Sequence, residues 1–168
     1  MLGLSAGVRV CLFDLDGVLA PTAAVHVAAW KEVFDEFLRR RAGRTGDGFR
    51  PFDVADYDEY VDGRPRAGGA RSFLASRHIT LPEGRPDDPP DKETVQGLSA
   101  RKDEAFARRP HRDGVKPLEG SVRYLRAARD AGLRRAVVSS SRHCAEILPA
   151  AGIADLIELV RPDPEARS

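Results

Sequence analysis

Val8-Arg9-Val10-Cys11-Leu12-Phe13-Asp14-Leu15-Asp16-Gly17-Val18-Leu19 is the stretch that decides the fold. Its apolar, partly β-branched first half reads as a buried strand over Val8–Phe13. That strand runs straight into two carboxylates two residues apart, with glycine immediately after. Placing two acids at the tip of a buried strand costs free energy unless they have chemistry to perform. In an open α/β sheet the C-terminal strand tips are where ligands bind. An aspartate held there can attack as a nucleophile and form an acyl phosphate, with the second acid moving the proton. A calcium loop would need further oxygen ligands and a glutamate at set offsets, and Val18 and Leu19 occupy the next positions. Two solvated acids in an ordinary turn remain the plain alternative.

Outward from this tip, Thr22 to about Arg41 carries apolar residues at helical spacing (Val25, Ala28, Ala29, Val33, Phe37, Leu38), and Gly43 is expected to end that helix. Trp30 and Phe34 widen the same face and read as packing. Short helices are expected around Val54–Val61 and Gly69–Arg77. Leu81–Asp91, rich in proline and aspartate, reads as a loop. Thr94–Arg109 resumes the helical pattern, and Pro110–Pro117 reads as a second hinge or linker. A helix over Ser121–Ala131 follows, capped by Ser121 and stopped by Gly132. Arg135–Ser139 is a short buried strand that runs into Ser139-Ser140-Ser141-Arg142. His143–Ala151 is a helix, Ile157–Val160 a third strand, and Arg161–Ser168 a polar tail. The pattern is α/β: a strand, a helical insertion, then a helix–strand–helix return. An all-helical insertion at this place suggests a lid over the strand tips.

Ser139 to Arg142 repeats the logic of the first tip. Hydroxyls and amides at a strand-to-helix junction suit a phosphate, and Arg142 adds a forked permanent cation. Serines there are also ordinary helix N-caps.

The totals narrow the function classes. With 168 residues, 42% hydrophobic and 32% charged, the chain is that of a globular domain. A net charge of +1 gives no bulk electrostatic case for nucleic acid or an anionic membrane. Only four of the 27 basic residues are lysine. The run Arg39-Arg40-Arg41 would suit phosphate or RNA, but it reads more simply as a solvated helix face. Cys11 and Cys144 make no disulfide framework, and Cys11 within the strand reads as a small buried hydrophobe, which favours a reducing cytoplasm. Arg9, Asp14 and Asp16 interrupt the only N-terminal apolar run, so no signal peptide is expected, and no stretch has the length of a membrane span. His78, His111 and His143 form no spaced zinc set.

Asp14-Leu-Asp16-Gly-Val-Leu and Val137-Val-Ser139-Ser-Ser resemble the first two motifs of the haloacid dehalogenase-like superfamily of phosphatases and phosphomutases. The likeness extends to its beta-phosphoglucomutase branch. Thr22, His26 and Trp30 recur at that branch's spacing, Gly63-Arg-Pro-Arg66 is similar to its cap loop, and Arg101-Lys102-Asp103 resembles its cap segment with a substrate-contacting lysine. Ser141, Arg142 and His143 fall where the branch has a serine, a lysine and an asparagine at the phosphate site.

The resemblance implies a Rossmannoid parallel sheet, incomplete, with an inserted helical cap. Residues 1–20 and 115–168 would form the core, and 21–114 the cap with its hinge linkers. It implies Asp14 as nucleophile and Mg²⁺ ligand, and Asp16 as general acid/base that lends its carbonyl to the metal. Ser139 would hold the transferring phosphoryl group, with Ser140, Ser141 and Arg142 beside it. His26, Arg66 and Lys102 would serve hinge and substrate. Mg²⁺ is the implied cofactor, because a carboxylate and a phosphate dianion repel one another. The expected partner is a phosphorylated sugar or another small phosphate ester, with no nucleic acid and no membrane.

Two departures qualify the transfer. Pro21 stands where the branch has an acidic or amide residue, and the chain stops at Ser168, before the third and fourth motifs with their lysine and metal-binding acids. Asp163 and Glu165 do not match that spacing. The first strand is then expected to have an open hydrophobic edge, inviting self-association or strand donation by another polypeptide. A truncated, catalytically silent domain that binds sugar phosphate is the alternative function.

Overall fold

The computed structural model describes residues 2–139 and 143–162. Three parallel strands, β1 (Val10–Phe13), β2 (Arg134–Ser139) and β3 (Leu159–Pro162), lie in the order β1-β2-β3. Phe13 pairs with Val137, and Ala136 with Leu159. The chain divides into two units, one built from residues up to Ala24 and from Arg109 onward, the other from Val25–Arg108.

The first unit holds the sheet with α5 (Glu119–Asp130) and α6 (Cys144–Ala150). Paired positions in a parallel sheet share a face. Phe13 meets Tyr124 of α5 edge-on at 6.1 Å, and Val137 on the same face is fully buried. Val10, Leu12, Val138 and Leu159 occupy the other face in register, and all four are exposed, Leu12 by 69%. The expectation of a fully buried first strand is therefore corrected. On the Cys11/Phe13 side, Phe13 packs on Tyr124 of α5, and Cys11 is half-buried rather than buried; among the described residues β1 has one neighbouring strand and so one open edge.

The second unit contains no strand among its described residues. Its helices are α1 (Ala23–Thr45), α2 (Val54–Tyr60), α3 (Arg66–Ser76) and α4 (Val95–Asp113). Phe34 is the centre of its core, packing on Trp30 at 4.7 Å, Phe52 at 5.1 Å and Phe73 at 4.2 Å. Each such ring pair contributes about 0.5–1.5 kcal/mol beyond the area it buries. Asp35, buried on α1, accepts the Phe52 N–H at 2.8 Å and the Lys31 ammonium at 2.9 Å, so the segment before α2 is fixed to α1. Asp53 and Asp56 then start α2 with a reciprocal capping box.

Several boundaries depart from the sequence reading. Helix α1 continues through Gly43, and it is Gly46, at φ +77°, that closes it by donating to the Ala42 carbonyl. Helix α4 runs through Pro110 to Asp113, so the expected Pro110–Pro117 linker begins later. Pro110 cannot donate to the carbonyl four residues back, but Arg109 pairs with Asp113 across that last turn at 3.5 Å. Helix α5 begins at Glu119 with Leu118 at the cap position, and Ser121 lies inside it. The Ser121 hydroxyl donates instead to the Val18 carbonyl. Strand β3 begins two residues later than expected, after a 3-10 turn at Ala154–Leu156. Among the described residues no helix is long and apolar enough to cross a membrane.

Candidate active site

The turn after β1 is held from within. The Leu15 carbonyl accepts the N–H groups of Leu19 at 3.0 Å and Ala20 at 3.1 Å, and the Gly17 N–H donates to the Ala20 carbonyl at 2.9 Å. Gly17 adopts φ +73°, which an L side chain takes only at a cost. Leu15, Leu19 and Ala20 are fully buried, and the Leu118 N–H donates to the Leu19 carbonyl at 2.9 Å. The two carboxylates are left in different states. Asp14 is exposed and, among the described residues, accepts only the neighbouring Leu15 N–H, at 2.7 Å. Asp16 is half-buried, and its carboxylate accepts from the hydroxyl of Thr22, itself buried.

Ser139 ends β2, the strand directly beside β1, and is 3% exposed. With Phe13 opposite Val137, the ends of the two strands lie side by side. Asp14, Asp16 and Ser139 are thus collected at adjacent strand tips of one unit. Ser140, Ser141 and Arg142 lie outside the described residues. Helix α6 starts immediately afterwards, and Cys144 in its first turn is a neighbour that the sequence reading missed. Burial, then the Asp16 and Asp14 carboxylates, push its thiol up to about 11. The available signal was its place directly after the second strand tip, where side chains of the following helix meet whatever occupies the first.

His26, Arg66 and Lys102 lie in the helical unit and form two adjoining pairs. The Lys102 ammonium, 4% exposed, is 3.0 Å from His26 Nδ1. An ammonium only donates, so a charged Lys102 requires Nδ1 to be the acceptor of this contact. Both groups also lie against Phe106, the ammonium 4.5 Å from its centroid and the imidazole ring 4.4 Å. Arg66 pairs with Asp103, the residue after Lys102 on α4.

The strand tip offers oxygen donors of the type a hard divalent cation takes. The Asp14 carboxylate is exposed, and the Asp16 carbonyl accepts no hydrogen bond among the described residues. Mg²⁺ is commonly held by one or two protein oxygens, with water and substrate phosphate completing its shell, and this donor set fits it. Among the described residues no group of three His, Cys, Asp or Glu side chains converges to hold a metal by itself.

The haloacid dehalogenase-like hydrolase family matches residues 8–167. The beta-phosphoglucomutase of Mycobacterium bovis is 52% identical over 154 residues, which are 91% of this chain and 59% of that protein. The chain therefore spans about three fifths of the length of that relative. A HAD family hydrolase from Deinococcus radiodurans, solved with bound phosphate and sodium, is 27% identical with a TM-score of 0.58, covering 94% of this chain and 59% of that one. CbbY from Rhodobacter sphaeroides, solved with xylulose-(1,5)bisphosphate, is 19% identical with a TM-score of 0.61, covering 96% and 66%. That last likeness is one of fold.

Proposed function

Because the chain belongs to the haloacid dehalogenase-like hydrolases, and within them to the beta-phosphoglucomutase-like branch, we propose that it transfers a phosphoryl group from a sugar phosphate by way of Asp14. The observation that carries this reading is the unequal treatment of the two acids: Asp14 is exposed, and Asp16 is half-buried and anchored by Thr22. Asp14 has the reach of a nucleophile. Its oxygen attacks phosphorus, the bond from phosphorus to the sugar oxygen breaks, and Asp16 gives that oxygen a proton. Water or a sugar hydroxyl then attacks the aspartyl phosphate, with Asp16 taking the proton back. Thr22 suits both halves of this cycle, because a hydroxyl donates to the charged carboxylate and accepts from the protonated one. Ser139 is assigned to the phosphoryl oxygens. Mg²⁺ held by the Asp14 carboxylate and the Asp16 carbonyl would screen nucleophile from phosphate. In the helical unit, Lys102 and Arg66 are assigned to a second anionic group of the substrate, with His26 positioning Lys102.

The test offers the chain Mg²⁺ with a panel of hexose phosphates and scores isomerised sugar against free phosphate, with Asp14→Asn as the control. Isomerisation identifies a mutase and phosphate release a phosphatase. Product from Asp14→Asn at the parent rate refutes the nucleophile.

A second reading, binding without turnover, is favoured by one observation: among the described residues no cationic side chain pairs with Asp14. It predicts saturable binding of hexose phosphate with no product. The edge of β1 that is unpaired among the described residues, with Val10 and Leu12 exposed, further supports association through that edge, and light scattering showing only monomer at high concentration would refute it.

A further inference from the structure

The run Arg39-Arg40-Arg41 on α1 is only partly used by the fold. Arg39 and Arg40 each reach back one helical turn, to Asp35 and Glu36, both at 3.7 Å. One turn before Arg41 stands Phe37, which offers no charge. The Arg41 guanidinium makes no ion pair or hydrogen bond among the described residues; it lines a cavity of about 340 Å³ between α1, the Gly48–Arg50 segment and the end of α3. Arg50 and His78 line the same cavity, and neither side chain forms an ion pair or hydrogen bond among the described residues. Arg77, also on its wall, is already compensated by Asp56 at 2.5 Å. Asp47 is the one acid on the wall, and it accepts the Thr45 hydroxyl at 2.7 Å. Arg41, Arg50 and His78, none of whose side chains is ion-paired or hydrogen-bonded among the described residues, therefore share the cavity wall with the single acid Asp47, beside the buried Leu38 and Ile79.

His78 adds an independent sign. It ends α3 at φ 56°, the only left-handed residue among those described that is not glycine. Its N–H donates to the Ala75 carbonyl at 3.0 Å, and the Ile79 N–H donates to that of Leu74 at 2.9 Å. Glycine closes a helix in this way without cost, whereas histidine carries backbone strain and brings an imidazole to the cavity.

We propose that this cavity binds a small, doubly charged oxyanion, a phosphate or a dicarboxylate, held by the guanidinium forks of Arg41 and Arg50 beside His78. Guanidinium matches the paired oxygens of either group. None of these residues belongs to the candidate active site, so this ligand is distinct from whatever reacts at Asp14.

The test is an NMR titration of the whole chain that follows the Leu38 and Ile79 methyl groups and the Gly48 amide. Sodium phosphate, and separately sodium malonate, replaces sodium chloride at constant ionic strength. The expected result is a saturable shift of these signals, with binding weakened about tenfold or more in the Arg41→Gln/Arg50→Gln chain, as loss of charge-assisted hydrogen bonds requires. Shifts with phosphate alone assign a phosphate-bearing ligand, and shifts with both anions assign recognition of the oxyanion shape. His78→Gly is expected to melt at a higher temperature, because the strain is gone, yet to bind phosphate more weakly than the parent. The proposal is overturned if neither anion gives saturable shifts. It is equally overturned if the doubly substituted chain, folded by the same spectrum, binds as tightly as the parent, and equal binding by His78→Gly removes that residue from the site.

Discussion

Thr22→Val isolates the contact that separates the two acids of the strand tip. Valine has nearly the shape of threonine, so at this buried position the substitution deletes a hydroxyl and little else. What is lost is a hydrogen bond to the Asp16 carboxylate. Bonds to charged groups contribute about 1.5–3 kcal/mol net, and because Asp16 is half-buried, water recovers part of that, leaving a loss of about 1–2 kcal/mol. For a chain of this length each kcal/mol moves the melting temperature by about 2–4 °C, so a drop of about 2–8 °C is expected. On the proposed chemistry the same contact holds Asp16 where it must give and regain a proton. The kcat should then fall by about tenfold with KM little changed, since the lost interaction acts in the transition state. The assays are a circular-dichroism melt and initial rates on a turned-over hexose phosphate, with Thr22→Ser as the variant that restores the hydroxyl. A Thr22→Val chain that melts within about 1 °C of the parent refutes the energetic argument. Reduced stability with kcat unchanged refutes the positioning argument alone.

Two further predictions concern titratable groups. The Lys92 ammonium at 2.6 Å, with the Thr94 hydroxyl and the Arg85 N–H, outweighs burial and holds the Asp88 carboxyl down at about 2. A carboxyl lowered on folding stabilises the fold above its ordinary value of about 4, and that contribution is lost as pH falls through about 2. Asp88→Asn should therefore melt below the parent at pH 7 and converge with it near pH 2; a constant gap in melts across that range would sink the assignment. The Cys144 thiol, pushed up to about 11 by burial and by the Asp16 and Asp14 carboxylates, stays protonated at pH 8. Iodoacetamide followed by mass spectrometry should mark half-buried Cys11 well before Cys144 in the folded chain and both alike in denaturant, and equal labelling in the folded chain would contradict it.

What could be read from the sequence follows from which signals are local. An apolar run ending in Asp14 and Asp16 is local, and so is the parallel alternation that returns with Arg135–Ser139; both survive in the structure as β1 beside β2. Helix ends depart from the sequence reading where a glycine or proline is not the residue at which the last turn closes. Gly43 sits inside α1 because Gly46 supplies the left-handed residue, and Pro110 sits inside α4 because the Gly114 N–H still reaches its carbonyl at 3.1 Å. An open edge of the first strand is expected from the sequence, but the exposure of the Val10 and Leu12 face is not, because residue type records what a strand is able to bury, while its neighbours decide what it does bury. Nor could the pairing of Lys102 with His26 be read locally: it joins positions 76 residues apart on two helices.

The sequence reading gives the two acids different roles, and their surroundings are unlike as well: Asp14 is exposed, while Asp16 is half-buried and held by Thr22. Asp14 and Asp16 both repel a Cys144 thiolate, which marks the tip as a place of negative potential. A phosphate dianion entering it meets the same field. Two unit charges of like sign at 4 Å cost about 4 kcal/mol at an effective dielectric of 20. Left uncompensated, one such contact would slow attack at phosphorus by about three powers of ten. Among the described residues no cationic side chain pairs with either carboxylate. On the proposed chemistry, turnover therefore depends on a cation reaching this tip, whereas the anchoring of Asp16 by Thr22 does not. A Thr22→Val chain should lose stability whether or not Mg²⁺ is supplied, but any hexose-phosphate turnover by the parent should rise steeply with Mg²⁺. Turnover that is indifferent to chelation of divalent cations would place the compensating charge on the protein itself.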